Sequence, residues 1–167
     1  EESGQAVEEK TVTALFEETR GQPGLTCWFG ELLTEKFNRD KTKPVGMDIF
    51  EEAYAAATYV LPNNTILNII SKARQEPYKE PVLELFKTDR KLAFAFDDPH
   101  LNFLYMNGVI DREKEEGKNY VRFSCPFVQK RLFNYFSDEL FHYMGKIFDI
   151  TEGVADIFEG EGLNIKN

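Results

Sequence analysis

Residues 109–124, VIDREKEEGKNYVRFS, have the pattern of a β-hairpin. Two runs of strand-forming residues flank a charged segment that contains Gly117. A glycine in a short polar segment between two such runs is typical of a hairpin turn. The sequence therefore predicts a hairpin, in a chain whose other patterns are mainly helical.

The segments on both sides of the hairpin give an order of elements. Apolar residues recur at helical spacing from Thr65, which we expect to open a helix, and again after Pro81. Residues 91–96 alternate as in a short strand, and Asp98 followed by Pro99 is typical of a helix start. A long helix is expected from Pro126 to Met144. Helix, helix, short strand, helix, hairpin, helix is the order of a winged helix, a helix-turn-helix variant with a β wing.

The first part of the chain predicts three short helices and no strand. The first carries Val12, Leu15 and Phe16 and ends at Gly21, the second begins with Leu25, and the third is expected to be capped by Asp48. The predicted fold is mainly α. It comprises a short helical bundle over residues 11–61, a winged-helix domain with a hairpin wing over 62–145, and an acidic linker tail over 146–167.

The charge of the chain disfavours nucleic acid as a partner. The formal net charge is −9, and an acidic chain repels phosphate. The expected recognition helix, residues 98–108, has no Lys or Arg, and residues 111–122 carry four positive charges against four negative ones. We therefore predict a protein partner. DNA binding, with Asn102, Asn107 or Tyr105 at base edges, is the alternative.

The cysteine and histidine content argues against a metal site or a disulfide framework. The chain has two Cys and two His, whereas a zinc site needs about four ligands at short spacings. Cys27 and Cys125 are predicted to be small core residues. No signal peptide or apolar run of about 18 residues is present. We therefore expect a cytoplasmic protein with no membrane partner and no metal bound by this chain.

Residues 20–23, Arg-Gly-Gln-Pro, form a rigid corner before the second helix. Proline offers a flat apolar edge on a fixed backbone, glycine allows another surface to approach closely, and a helix start presents free N–H groups. An adenine ring suits such a clamp. Arg20 could approach a phosphate or could be a solvated charge at a helix end. The alternative is an ordinary tight turn between two packed helices.

Longer stretches resemble a known family. A helical bundle opened by a Gly-x-Pro turn and followed by a winged helix resembles the lid and winged-helix segments of AAA-like ATPases of the STAND and archaeal type. More particularly, the sequence is similar to a bacterial family of large AAA-like ATPases, whose members often carry a PD-(D/E)XK nuclease-like domain downstream. The resemblance covers roughly residues 11–145. The stretches that carry it are GQPGLTCWFGELLTEKFN, LPNNTILNIISKA, FLYMNGVI and FSCPFVQKRLFNYF.

The resemblance implies a nucleotide-binding role for the corner. In that group the proline of the Gly-x-Pro turn packs near the adenine of ATP, which assigns cofactor binding to Gly21, Gln22 and Pro23, with Arg20 adjacent. The chain has no GxxxxGK[ST] motif to cradle phosphates. An ATPase core would have to lie upstream of residue 1 and an effector domain beyond residue 167.

The sequence thus predicts a non-catalytic module that couples nucleotide state in such a core to the effector domain. The alternative is an independent winged-helix regulator that binds a protein or DNA.

Overall fold

The computed structural model describes residues 4–142, and it is mainly helical with one two-stranded antiparallel hairpin. The helices are α1 (Glu9–Thr19), α2 (Pro23–Glu31), α3 (Met47–Tyr59), α4 (Asn64–Ala73), α5 (Lys79–Lys87), α6 (Pro99–Met106) and α7, which is described over 126–142. A π-helical turn, Leu32–Lys36, follows α2, and the strands are β1 (Ile110–Glu115) and β2 (Lys118–Phe123). The helical character and the hairpin confirm the prediction at this level.

The chain forms two units that divide after Asn134. Apart from residues 135–142, all described elements belong to the first unit. The boundary predicted between residues 61 and 62 lies inside this first unit and stays a prediction. The predicted linker tail, residues 146–167, lies outside the described residues, as do the last residues of the segment 62–145.

The face that α1 turns inward differs from the predicted one. Val12 is 52% exposed and Phe16 is 61% exposed, whereas Thr11 and Thr19 are fully buried. Thr19 can be buried because its hydroxyl donates to the Leu15 carbonyl and lies 3.1 Å from the Thr26 hydroxyl on α2. Leu15 is half-buried, but Val12 and Phe16 face outward, because two threonines occupy the inward face of α1. Of these, Thr19 is hydrogen-bonded, whereas the buried Thr11 hydroxyl has no hydrogen-bond partner.

The caps of three helices test the predicted helix starts. Gly46, not Asp48, is the N-cap of α3, and Asp48 lies in the first turn, where the helix dipole still favours a carboxylate. Asn63, not Thr65, caps α4, because its Oδ1 accepts from the Ile66 N–H at 3.1 Å. Asp98 caps α6 as predicted, accepting from two backbone N–H groups.

A closed aromatic cluster joins α2, α3 and α7 at the centre of the first unit. Phe29 is fully buried, and its ring centroid lies 5.0 Å from that of Phe127 and 6.0 Å from that of Tyr54. The other members of the closed cluster are Trp28 and Phe50. Such offset and edge-on pairs add to the free energy gained by burying the rings.

Polar contacts join α3 to α7 and to α1. Arg131 on α7 donates through Nη1 to the carbonyl oxygens of Ala57 and Leu61 at 2.7 and 3.1 Å, at the end of α3. Burial lowers the pKa of Arg131. The Tyr54 hydroxyl donates to the Glu18 carboxylate on α1, and burial first, then this bond, raises the pKa of Tyr54.

The hairpin has a two-residue turn and a third segment beside it. Glu116 and Gly117 both have positive φ, 49° and 78°, as a tight turn between twisted strands requires. The predicted strand over 91–96 is reduced to one bridge, Ala93 to Tyr120, with the Phe94 N–H bonded to the Asn119 carbonyl. The strand is cut short because the chain turns at once, with the Asp98 N–H bonded to the Ala95 carbonyl.

The two cysteines lie in different environments. Cys125 is 1% exposed, as predicted, and burial raises the pKa of its thiol. Cys27 is exposed, so its placement in the core was wrong. Cys27 is two positions from each of the buried residues Leu25 and Phe29, so it lies on the opposite side of α2.

Candidate functional site

The corner at residues 20–23 is built by two consecutive left-handed residues. Arg20 and Gly21 have φ of 47° and 72°, and the Arg20 N–H closes α1 on the Phe16 carbonyl at 2.6 Å. A Cβ added at Gly21 would lie 3.2 Å from the Phe16 ring, in a region of φ that side chains rarely adopt. Glycine is therefore required for the turn itself.

The first turn of α2 uses its own side chains to satisfy its backbone. Gln22 is the N-cap, and its Oε1 accepts from the Leu25 N–H at 2.6 Å. Pro23, at the first helical position, has no N–H to offer. The corner therefore has fewer free donors than its place at a helix start suggests. Gly21 and Pro23 are exposed and Gln22 is half-buried.

Gly24 serves an intramolecular contact. A Cβ at this position would lie 2.5 Å from Oγ1 of Thr65, at the start of α4. The close approach that glycine permits is therefore used by the chain itself. Of the four predicted site residues, Gly21 and Pro23 are left with an exposed surface at the turn, and Gln22 has a capping role.

Arg20 reaches from the corner to the base of the hairpin. Its Nη1 donates to the carbonyl oxygen of Phe123 at 3.0 Å and to that of Ser124 at 3.3 Å. These bonds connect residues 103 and 104 positions apart. The guanidinium is thus neither a purely solvated charge nor a group committed to an outside phosphate.

A groove of about 590 Å³ lies beside this contact. Phe16, Glu17 and Arg20 line it from the α1 side, and Asp111 and Arg122 line it from the hairpin. Arg122 pairs with Asp111 at 3.1 Å, and its buried Nε has no hydrogen-bond partner. The groove offers one aromatic ring and balanced charge, which suit a flat, partly polar group.

The sequence found part of this site and missed the rest. The four-residue spacing of Phe16 and Arg20 was visible in the sequence, but Arg20 is the left-handed C-cap that ends α1, so the helical period alone does not place its side chain beside Phe16. Asp111 and Arg122 are directly opposed in the hairpin register, and that pairing follows once the turn at Gly117 is placed. Nothing in the sequence indicates that this end of α1 faces the hairpin.

Comparison with protein-family models, with curated proteins and with solved structures gives no match to this chain. Within residues 4–142, no group of three or more His, Cys, Asp or Glu side chains is placed to hold a metal ion. The helices described over the same residues include none that is long and apolar enough to cross a bilayer.

Proposed function

We propose that this chain is a non-catalytic lid and winged-helix module of an AAA-like ATPase, in which the corner contacts the adenine of ATP held by an upstream core. The winged helix is the predicted segment 62–145, which the structure describes as far as residue 142. Nucleotide state in the core moves the corner, and the winged helix passes this motion to an effector domain. The residues assigned to nucleotide contact are Arg20, Gly21, Gln22 and Pro23.

The bond from Arg20 to the hairpin carries this proposal. The rigid helix start at Pro23 comes three residues after Arg20, whose side chain donates to the carbonyl oxygens of Phe123 and Ser124. A displacement of the corner therefore acts on the base of the hairpin through one side chain. Coupling of this kind needs two sites and a physical connection between them.

The order of elements supports the winged helix. Helices α4, α5 and α6 precede β1 and β2, and α7 follows them. Residues 92–94 lie beside β2, with the Val121 N–H bonded to the Leu92 carbonyl at 2.8 Å and Ala93 bridged to Tyr120. A short third segment that pairs with a hairpin after the second helix is typical of this fold.

Nucleotide affinity of the parent protein, including the segment upstream of residue 1, tests the adenine contact. We expect Pro23→Ala to weaken binding of a fluorescent ATP analogue about fivefold, as the loss of one or two methylene contacts would. Pro44→Ala, at another exposed proline, is the matched control. Unchanged affinity in the Pro23 variant would remove the adenine role.

Amide hydrogen exchange tests the coupling separately. In the parent protein we expect ATP to alter the exchange of residues 119–124, and Arg20→Gln to abolish that response even at ATP concentrations that saturate the variant. Arg39→Gln is the control, because Arg39 is exposed and pairs only across the surface with Glu52. A full response in the Arg20 variant would show that the hairpin senses nucleotide by another route, and the coupling role of Arg20 would be wrong.

The second candidate is an independent winged-helix regulator that binds a protein or DNA. The surface of α6 favours a protein, since Met106 is 73% exposed and the helix has no Lys or Arg. Titration with duplex DNA at several salt concentrations separates the cases. Steeply salt-dependent binding favours DNA, and the absence of binding counts against it.

A further inference from the structure

The charges of the hairpin lie on two different faces, although the net charge of residues 111–122 is zero. Paired residues of an antiparallel ladder share a face. Asp111 opposes Arg122, Glu113 opposes Tyr120, and Glu115 opposes Lys118 on one face. On the other face Arg112 opposes Val121 and Lys114 opposes Asn119. All carboxylates of β1 lie on the first face. Both of its cations lie on the second face, where the ladder has no carboxylate.

Ion pairs confirm this separation. Arg122 pairs with Asp111 and Glu113, and Lys91 pairs with Glu115, so the acidic face is neutralised locally. The basic face, which we define as Arg112, Lys114 and Asn119, has no carboxylate among its ladder residues. Together with Gly117 these side chains line a groove of about 320 Å³.

An aromatic ring extends the basic face towards α6. The Arg112 guanidinium lies over the Phe96 ring, 5.4 Å from its centroid, and Phe96 is 48% exposed. Phe96 belongs to an open aromatic cluster with Phe94 and Tyr105, whose ring centroids lie 4.9 and 5.4 Å away. The surface thus combines two cations, an amide and an apolar ring, with its groove next to the tip of the hairpin.

We propose that the basic face and Phe96 bind an acidic peptide segment of a partner protein. Arg112 and Lys114 lie two residues apart on one strand face, a separation of about 7 Å, so carboxylates two residues apart in an extended peptide can reach both. Asn119, opposite Lys114 on β2, supplies an amide that can hydrogen-bond to the peptide. Phe96 packs against an apolar side chain of the peptide. This surface goes beyond nucleotide coupling and does not depend on it.

An acidic peptide fits this surface better than a nucleic acid. Binding to a phosphate backbone gains from many neutralised phosphates, and the basic face supplies two cations in a chain of net charge −9. A peptide with two carboxylates needs no more than these two cations. Arg also favours the planar, bidentate geometry of a carboxylate.

Fluorescence anisotropy with the 167-residue chain tests the proposal. The probe is a labelled ten-residue peptide with alternating Glu residues and one central Phe, and its competitors are the same peptide with Gln for Glu and a single-stranded DNA of ten nucleotides. We expect the Glu peptide to bind, the Gln peptide to bind at least tenfold more weakly, and the DNA to bind more weakly than the Glu peptide. DNA as the tighter ligand, or no binding of the Glu peptide at millimolar protein, would overturn the proposal.

Two double variants with the same change in net charge provide the decisive comparison. Arg112→Gln with Lys114→Gln removes the basic face, and we expect affinity for the Glu peptide to fall about tenfold. Lys91→Gln with Lys118→Gln removes two cations of the opposite face, and we expect a change of less than twofold. An equal loss in both would mean that net charge alone attracts the peptide, and the site would be wrong.

The single variant Arg112→Lys, which keeps the charge and loses the bidentate geometry, provides a second reading if the double variant unfolds. We expect an intermediate loss of about threefold, and no loss would contradict the role of Arg112. Sedimentation of the wild-type chain alone checks for a second copy as occupant. Self-association that the Arg112 and Lys114 changes abolish would assign the face to a dimer and overturn the peptide.

Discussion

The closed and open aromatic clusters differ in what surrounds them. In the closed cluster Phe29 is fully buried between rings from three helices. In the open cluster Phe96 is about half exposed and lies under a guanidinium. Similar ring contacts therefore serve two purposes. The first cluster holds helices together, and the second presents an apolar surface beside charge.

The largest expected effect tests the closed cluster directly. Phe29→Ala should lower the free energy of unfolding by about 3–5 kcal/mol, because it removes a buried ring and leaves a cavity among rigid neighbours. Urea denaturation followed by circular dichroism measures the change. A loss below about 1 kcal/mol would mean that this cluster is not the stabilising centre.

The start of α2 packs closely against the start of α4. Gly24→Ala places a Cβ about 2.5 Å from Oγ1 of Thr65, and we expect a net loss of about 1–2 kcal/mol, since overpacking exceeds the gain in helix propensity. The double variant with Thr65→Ala should recover most of it. Thermal or urea unfolding of the three proteins gives the coupling free energy.

Gly30→Ala is the matched control for this prediction. A Cβ at Gly30, in the same helix, meets nothing within 4 Å, so this change should stabilise the chain by up to about 1 kcal/mol. A loss at Gly30 as large as at Gly24 would show that glycine is needed for the helix in general. The stability loss of Gly24→Ala would then not be evidence for the contact with Thr65.

Tyr54 makes the closed cluster sensitive to alkaline pH. Its folded pKa is raised above the unfolded value of about 10, so above that pH the unfolded state releases a proton that the folded state keeps. The stability contributed by Tyr54 is therefore present below pH 10 and is lost as the pH rises further. Urea midpoints from pH 7 to 11 should fall less steeply for Tyr54→Phe than for the wild type.

Tyr120→Phe, on the hairpin, is the control for the loss of a tyrosine hydroxyl. At neutral pH we expect Tyr54→Phe to cost about 1 kcal/mol, since the bond to Glu18 is lost. Parallel pH profiles for the wild type and the Tyr54 variant would contradict the raised pKa.

The cap of α2 gives a smaller effect. Gln22→Ala removes the acceptor of the Leu25 N–H, and a lost N-cap costs about 0.5–1 kcal/mol at the lower end of the usual range. Gln22→Asp should retain the stability, because Asp is a favoured N-cap residue. Urea midpoints of the two variants measure the difference, and an Asp variant as unstable as the Ala variant would argue against capping.

The smallest effect on stability is expected in the open cluster. Phe96→Ala should change the free energy of unfolding by less than about 1 kcal/mol, because half of the ring is already in water. The same variant should weaken binding of the acidic peptide. A stability loss close to that of Phe29→Ala would break the distinction between the two clusters.

The sequence predicted the positions of the helices and of the hairpin better than it predicted which side of a helix is buried. Helical spacing, the turn at Gly117 and the pair Asp98-Pro99 identified the helices and the hairpin because these signals are local. The stripe of Val12 and Phe16 failed because threonines occupy the inward face of α1, where the Thr19 hydroxyl contacts the Leu15 carbonyl and the Thr26 hydroxyl. Local patterns do not show which polar groups will find a partner across the fold.

The candidate site shows the same limit. The corner was visible from its Gly and Pro residues, and the structure confirms a sharp turn there. The cap at Gln22 is a local contact with Leu25, but Gln is not among the favoured N-cap residues, so the sequence did not indicate it. The contact of Gly24 with Thr65 depends on packing between separate helices. The net charge of the hairpin is zero, as the sequence shows. The alternation of side chains along β1 was needed to show that its cations and its carboxylates lie on opposite faces.

The contact of Arg20 with the hairpin has a consequence for synthesis on the ribosome. Its acceptors follow it by 103 and 104 residues, and chains grow at about 5–20 residues per second. Arg20 therefore emerges roughly 5–20 seconds before its partners exist. The guanidinium therefore stays in water for that time, and α1 can be joined to the base of the hairpin only after residues 123 and 124 have been synthesised.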